Sequence, residues 1–399
     1  MTMVFDYSAE RDGRTPFTPP SGFEELRDKC PVSQISMWDG SKAWFVTKQK
    51  DVRAVLADER MSADSRTPGF PLVSPDSESL TEDNPTFARL DAPEHTRQRA
   101  MVNAEFTSKR ANEMRPRIQR IVDELVDKML AKSPPADLVK EFAEQIPSQV
   151  VSMLLGVPRE HRDYFQSLAD TICDHYAGEA AIEDANDKLT RFLADVTESK
   201  AKRPGDDLLS KLVRERESTG ELTRDDIIGM ARVMLVAGFE TTQNAIALGM
   251  AALFYHPAEM AALRDDPSLM PGAVEEVLRY TTVQHTGLPR VAVGDTEIGG
   301  QQIKAGEAVL AFLPSANFDP EFFADPERLD VRRKSRGNVN FGYGPHRCLG
   351  QFIARVELEV AFETILRRIP NLRLAVDLDQ IRFRRATAAF GLYELPVSW

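Results

Sequence analysis

The sequence predicts a mainly α protein with a small β region. Three observations carry this. Apolar residues recur at helical spacing through most of 107–283. Within that stretch, Thr223 to Tyr255 runs without proline for about 33 residues, enough for one rod of roughly 50 Å at 1.5 Å per residue. Between 290 and 312 the texture changes to short β-rich runs separated by glycine turns. A length of 399 residues suggests two or three units, but no repeat and no seam divides the chain, so one domain over 1–399 is expected.

The first residues, MTMVFDYSAERDGRTPFTPP, hold acids early and no apolar run behind a basic lead, so no signal peptide is read there. In 31–60, Trp44-Phe45-Val46 reads as extended and Asp51 to Leu56 as a short helix. Residues 63–93 carry prolines at 68, 71, 75, 85 and 93 and cannot form one regular element. A loop that long is usually functional or mobile. Thr223 with Asp226 resembles a capping box. The helix behind it is apolar over most of its circumference, which belongs in the centre of a large protein. Arg290–Val293 and Thr296–Ile303 flank Gly294-Asp295 and Gly299-Gly300, and Ala308–Phe312 is β-rich. A last helix follows position 348, and Leu372–Ala375, Ile381–Phe383 and Leu395–Val397 read as extended.

Composition narrows the function. Apolar residues are 42% and charged residues 28%, as in ordinary soluble globular chains. A formal charge of −12 argues against non-specific nucleic-acid binding. Cys30, Cys173 and Cys348 are too scattered for a disulfide framework and fit a reducing cytosol. The longest uncharged stretch, Thr241 to Ala258, contains Gln243, Asn244, His256 and Pro257, too polar for a membrane span. A cytoplasmic protein without membrane or nucleic-acid partners is expected.

The strongest chemical signal is FGYGPHRCLG at 341–350. Its glycines and Pro345 imply a tight, backbone-dominated loop. Beyond Cys348, Leu349, Phe352, Ile353, Val356 and Val360 repeat at helical spacing, so the cysteine sits at a helix N-terminus. Amides and the helix dipole there lower a thiol's pKa. Such a thiolate suits a nucleophile or a metal ligand. No second Cys or His offers zinc-type spacing. A single axial thiolate on haem iron is the better fit.

This segment resembles the haem-binding loop of the cytochrome P450 family, with Phe341, Gly342, Gly344, His346, Cys348 and Gly350 on pattern positions. The chain as a whole is most similar to soluble actinobacterial members. The resemblance implies a helical triangular-prism fold with the long helix, about 223–255, lying over haem b (Fe-protoporphyrin IX), and Cys348 as the iron's axial ligand. It implies a monooxygenase that uses dioxygen to hydroxylate a hydrophobic small molecule, a natural product or xenobiotic.

Other motifs fall into place beside it. AGFETT at 237–242 puts small residues, an acid and an alcohol in mid-helix. A buried carboxylate is costly unless paired or functional, and the threonine can bond back one turn. By resemblance Glu240 and Thr241 deliver protons during dioxygen activation. EVLR sets Glu276 and Arg279 on one helix face; the family pairs them, with Arg333 downstream, as a buried brace. Haem propionates need cations if buried. His95 and Arg99, one turn apart, with Arg290 and His346, match the family's propionate positions. His161, His175, His256 and His285 match none.

No flavin or nicotinamide fingerprint is present, so electrons come from outside, by resemblance from a ferredoxin and its reductase. Arg347, Lys334 and Arg336 are candidates for a basic docking patch. Candidate substrate contacts are Phe70, Phe87, Leu90, Val233, Val236, Ala237, Leu288, Ala388 and Phe390, mostly apolar. Two rivals remain. A nitric-oxide-reducing branch, fed directly by a nicotinamide, is similar along the chain, including WDGSKAWFVTK at 38–48, but its members lack the acid beside the threonine. A haem-thiolate ligand carrier or sensor would not need the acid–alcohol pair.

Overall fold

The spine of the protein is the helix Arg224–Tyr255, 32 residues long. In this computed structural model, which describes residues 15–20, 22–73, 85–173, 177–384 and 389–399, its start is fixed by the expected capping box. Thr223 Oγ1 accepts from the Asp226 amide at 3.1 Å, and Asp226 Oδ2 accepts from the Thr223 amide at 2.8 Å. Every residue from Thr242 to Leu253 is buried. Ala237 and Thr241, one turn apart, are open instead, because they line a cavity.

Other helices wrap this spine. Gln145–Leu155, Arg162–Cys173 and Glu179–Lys202 pack against it, as do Met270–Thr281 and Gln351–Arg368. Ser108–Leu130 packs on Gln351–Arg368. Gly249 allows the close approach: a Cβ there would sit 2.5 Å from Phe362 Cζ and 2.8 Å from Val277 Cγ1. One apolar core runs through these contacts.

The largest sheet has the order Val32–Ser36, Lys42–Val46, Ala308–Ala311, Leu288–Ala292, Met61–Ser62. Lys42–Val46 pairs parallel with Ala308–Ala311, and the other pairings are antiparallel. Arg290 stands opposite Val309 and is thereby fixed in a buried strand. The glycine pair at 299–300 turns a small hairpin, Thr296–Ile298 with Gln301–Ile303.

The expected textures at 31–60, 290–312 and the C-terminus all have their counterparts. The two-residue strands Met61–Ser62 and Ala136–Asp137 do not follow from the sequence pattern. Two residues carry no periodicity, and only a distant partner strand makes them extended. Between 63 and 93 the described residues form no helix or strand. Among the described residues no single helix is long and apolar enough to cross a membrane.

Candidate active site: a cysteine loop facing the central helix

Residues 341–350 form a loop closed on its own backbone. The Cys348 amide donates to the Phe341 carbonyl at 2.8 Å, the Gly342 amide to Val339 at 2.8 Å, and the Arg347 amide to Gly344 at 3.1 Å. Gly344 has φ +70°, and a Cβ on it would lie 2.2 Å from the Leu56 carbonyl oxygen. Helix Gln49–Ala57 therefore presses directly on the loop.

Helix Gln351–Arg368 begins just past Cys348. Burial pushes the Cys348 thiol up; the Gly350 and Gln351 amides, Arg99 and Arg355 oppose this without winning. The expected depression of the thiol pKa is opposed by the surrounding protein, although the side chain itself is exposed to the cavity it faces. A thiol so placed is a poor nucleophile on its own, whereas a coordinated cation ionises it outright. Among the described residues no group of three or more His, Cys, Asp or Glu could hold a metal ion.

The cysteine opens onto a cavity of about 340 Å³ beneath the central helix. Phe341, Gly342, Leu349 and Ile353 line one side with Cys348; Val233, Met234, Ala237, Gly238 and Thr241 line the helix side. Thr241 Oγ donates to the Ala237 carbonyl at 2.6 Å. Glu240 does not join it on the cavity wall. One residue turns the helix by about 100°, and Glu240 is buried at 4% exposure, accepting from Arg384 Nη2 at 3.3 Å.

Four of the candidate substrate contacts, Phe87, Val233, Ala237 and Leu288, line this cavity. Phe87 is pinned by Gln98, whose Oε1 accepts the Phe87 amide at 2.9 Å. Phe70, Leu90, Val236 and Phe390 do not line it, which corrects those four. Phe390 is fully buried and stacks on Phe383 at 5.5 Å. Val236 packs into the apolar core one residue off the cavity face. Leu90 is buried, and Phe70 lies beside the Arg89 guanidinium, 5.8 Å away. Ala388 lies outside the described residues, as does His175.

The four candidate cations converge at the cavity's edge. The His95 and His346 rings lie 4.2 Å apart, and Arg99 Nη2 donates to the Arg347 carbonyl. Arg290 is 5% exposed, and its Nη1 donates to the Pro289 carbonyl at 2.7 Å. Burial, then the nearby Arg89 charge, pushes Arg290 down to about 10. Burial, followed by Arg290 and His95, pushes His346 down to about 3. His95 is lowered by burial, and its Nε2 is buried without a hydrogen-bond partner. Asp91 acts on His95 and Arg290, yet positive groups exceed it. A surplus of buried donors is what the two carboxylates of a haem would satisfy, so the residues present fit that group.

The third motif is buried. Arg279 holds Glu276 through two bonds of 2.8 Å, both side chains at 0% exposure. Arg333 Nε adds a third at 3.0 Å. Arg279 Nη1 also donates to the Asn317 carbonyl at 2.9 Å, and Asn317 Oδ1 accepts from the Val339 amide at 2.8 Å. The trio thereby reaches the backbone that leads into the cysteine loop.

Comparison with known proteins decides the family. A family model described as cytochrome P450 matches residues 163–372. Cytochrome P450-SU2 of Streptomyces griseolus is 45% identical over 98% of this chain and 96% of its own. The chain belongs to the cytochrome P450 family.

The solved structures agree. Cytochrome P450 GfsF of Streptomyces halstedii superposes with TM-score 0.92 at 43% identity, covering 98% of each chain. The mycinamicin VIII C21 methyl hydroxylase MycCI of Micromonospora griseorubida, bound to mycinamicin VIII, gives TM-score 0.90 at 36% identity over 96% of this chain and 97% of its own. This P450 is a monooxygenase, and its family implies a haem-thiolate cofactor. Three groups at or behind its site were not singled out from the sequence. Arg89 acts on His346 and Arg290, Glu357 lines the cavity with a carboxyl whose pKa burial pushes well up, and Arg384 meets Glu240. None sits in a local motif that could have announced it.

Proposed function

We propose that this P450 hydroxylates a hydrophobic natural product of the polyketide or macrolide kind, using haem b and electrons from a cytoplasmic ferredoxin and its reductase. The observation that carries this is the Cys348 sulfur on one side of a largely apolar cavity, with Thr241 on the helix opposite and cations at the edge. The mycinamicin bound by a similar enzyme supports the substrate class.

In that cavity the haem supplies dioxygen activation and insertion of one oxygen atom into a C–H bond. Cys348 would ligate the iron, and His95, Arg99, Arg290 and His346 would neutralise the propionates. Thr241 holds a hydroxyl at the cavity wall where it can pass a proton, and Glu240 stands behind it as the acid. Phe87, Val233, Ala237 and Leu288 exclude water and orient an apolar substrate by shape. Glu276, Arg279 and Arg333 brace the loop that carries the cysteine.

Electron entry has a candidate surface. Lys334, Arg336 and Arg347 line a groove of about 880 Å³ together with Arg332 and Phe352. A basic groove beside the cysteine loop, on a chain of net charge −12, would select an acidic partner.

The deciding experiment is the spectrum of the reduced protein under carbon monoxide. The Soret band diagnostic of sulfur-ligated haem is expected, and Cys348→Ser is expected to abolish it; a wild-type protein without the band would overturn the proposal. Titration with macrolides, mycinamicin VIII first, should then shift the Soret band as water leaves the cavity. A panel that leaves the band unmoved would remove the substrate class while keeping the cofactor.

A further inference from the structure

Residues 283–288 carry the chain from helix Met270–Thr281 to strand Leu288–Ala292 along the cavity. The entry to this segment is fixed from behind. Thr282 has φ +31°, a left-handed conformation that a β-branched residue holds only when its surroundings impose it. Its Oγ1 donates to the Arg279 carbonyl at 2.8 Å and accepts from Asn317 Nδ2 at 2.9 Å. The Glu276–Arg279 brace therefore holds this turn as well as the cysteine loop. Next, the Val283 amide donates to Asn340 Oδ1 at 3.3 Å, and the Val283 carbonyl accepts from the Phe390 amide at 2.8 Å. The segment is clamped on both sides where it meets the cavity.

Within 283–288 only Gln284 and Leu288 are partly open, and both line the cavity. Leu288 continues the apolar wall, whereas Gln284 interrupts it with an amide. The neighbours of that amide set its orientation. Gln284 Nε2 donates to the Gly287 carbonyl at 3.2 Å and to Thr286 Oγ1 at 2.9 Å. A carbonyl can only accept, so the nitrogen faces it and the oxygen points the other way. Both amide hydrogens are spent within the loop. Gly287 permits this fold-back at φ +81°, where a Cβ would also stand 3.0 Å from Leu310 Cγ. Among the described residues no donor reaches Gln284 Oε1, and that oxygen is not sealed in the interior. It is an open acceptor on the cavity wall.

Phe87, Val151, Val233, Met234 and Ala237 give the same cavity no hydrogen-bonding side chain. An apolar ligand that filled it would strip water from the Gln284 oxygen and return nothing, which is costly. A ligand that brings a donor avoids that cost.

Resting on the substrate-cavity reading above, we infer that Gln284 is a specificity-determining residue whose Oε1 accepts a hydrogen bond from a hydroxyl or N–H group of the substrate. The enzyme then favours donor-bearing molecules over ketones, ethers and esters of the same skeleton. Because the segment is clamped, the acceptor is in place before the substrate arrives. The same bond fixes which end of an otherwise apolar molecule meets residues 283–288.

The test uses cyclooctanol and cyclooctanone, two rings of one size, of which only the alcohol can donate. Calorimetric titration of the holoenzyme gives both dissociation constants without relying on a spectral response. Gln284→Met keeps the length of the side chain and removes the oxygen. The preference for alcohol over ketone should fall about three- to tenfold from wild type to this variant, the scale of one neutral hydrogen bond. Comparing the two preferences cancels what the rings differ by in water. Thr286→Val loosens the same loop but leaves the Gln284 oxygen in place, and should keep the wild-type preference. A preference equal in wild type and Gln284→Met, or one that falls as far in Thr286→Val, would overturn the inference. The carbon monoxide spectrum separates this failure from that of the reading beneath it. A normal wild-type band with an unchanged preference condemns the acceptor alone. A missing band condemns the haem reading while the calorimetry still tests the acceptor, and a wild type that binds neither ring removes the substrate cavity and the inference with it.

Discussion

Two buried ion pairs flank the site, and they are built differently. Glu276 accepts two bonds from Arg279, one from Arg333, one from the Asp330 amide at 3.1 Å and one from Ser335. Arg279 spends its remaining donors on the carbonyls of Asn317, Pro326 and Arg328. Glu240 and Arg384 share a single contact of 3.3 Å, with orphaned polar atoms beside it. A fully satisfied pair fixes geometry. Beside the second pair the unmatched buried atoms belong to Arg384, Asn244 and Gln243, atoms that are ordinarily met by ordered water. The first pair braces the backbone leading to the cysteine loop, and under the proposed function the second stands behind the proton-delivering threonine.

The sharpest way to break this contrast is to remove one member of each pair. Arg279→Leu removes the fully buried cation and two of the bonds of Glu276, at 0% exposure, leaving only the Arg333 charge beside it, which should destabilise the fold by about 3–5 kcal/mol. Denaturant unfolding measures it, and yield of haem-loaded protein should collapse with it. Arg384→Gln should cost only about 1–2 kcal/mol, the scale of its two long hydrogen bonds to Glu240 and Asn244. Equal losses in the two variants would erase the distinction.

Thr241→Ala probes the cavity face of the same helix. Among the described residues the Thr241 hydroxyl bonds back to the Ala237 carbonyl, a bond that contributes little to the helix. Stability should change by less than about 1 kcal/mol, while substrate-induced Soret shifts persist. Product formed per NADH should fall several-fold, with peroxide taking up the difference. Full coupling in this variant would take the proton role away from Thr241.

Glu144 supplies a smaller effect with a definite sign. Its folded pKa is raised from 4.5 to about 7, so between those values the folded state binds more protons than the unfolded chain. The stabilisation from the bound proton is fully present below the lower value and is lost as pH rises through the upper one. Glu144→Gln should therefore unfold at a thermal midpoint that gains on wild type steadily from mildly acid to neutral pH. A constant difference across that window would mean that Glu144 does not titrate there.

What the sequence made legible was local. The capping box at Thr223 and Asp226, the proline-free run behind it and the glycines of the cysteine loop each lie within a few residues of what they determine. His95 and Arg99 are one turn apart on the short helix Glu94–Val102. The Arg384 partner of Glu240 lies 144 residues away, joined only by the meeting of a strand with the central helix. The cavity that Cys348 faces was hidden for the same reason: it is formed by residues from the central helix and from far along the chain, while the helix terminus behind the cysteine is visible in the motif. The misplaced pocket residues Phe390 and Val236 show the limit from the other side, since an apolar residue near a motif packs equally well into core or cavity.

The smallest expected effect lies at the surface and extends the contrast outward. Lys334, Arg336 and Arg347 are exposed and line the groove beside the cysteine loop. Exposed charges contribute little to stability, so Lys334→Glu should leave unfolding within about 0.5 kcal/mol of wild type. Its effect should appear in the rate of reduction by an acidic ferredoxin, slower several-fold at low ionic strength. Salt screens charges over about 10 Å at 0.1 M, so the difference from wild type should shrink as salt rises. Stopped-flow reduction under carbon monoxide reads this directly. A Lys334→Glu protein reduced at the wild-type rate, with the wild-type salt dependence, would mean that the groove is solvated surface and that the electron donor docks elsewhere.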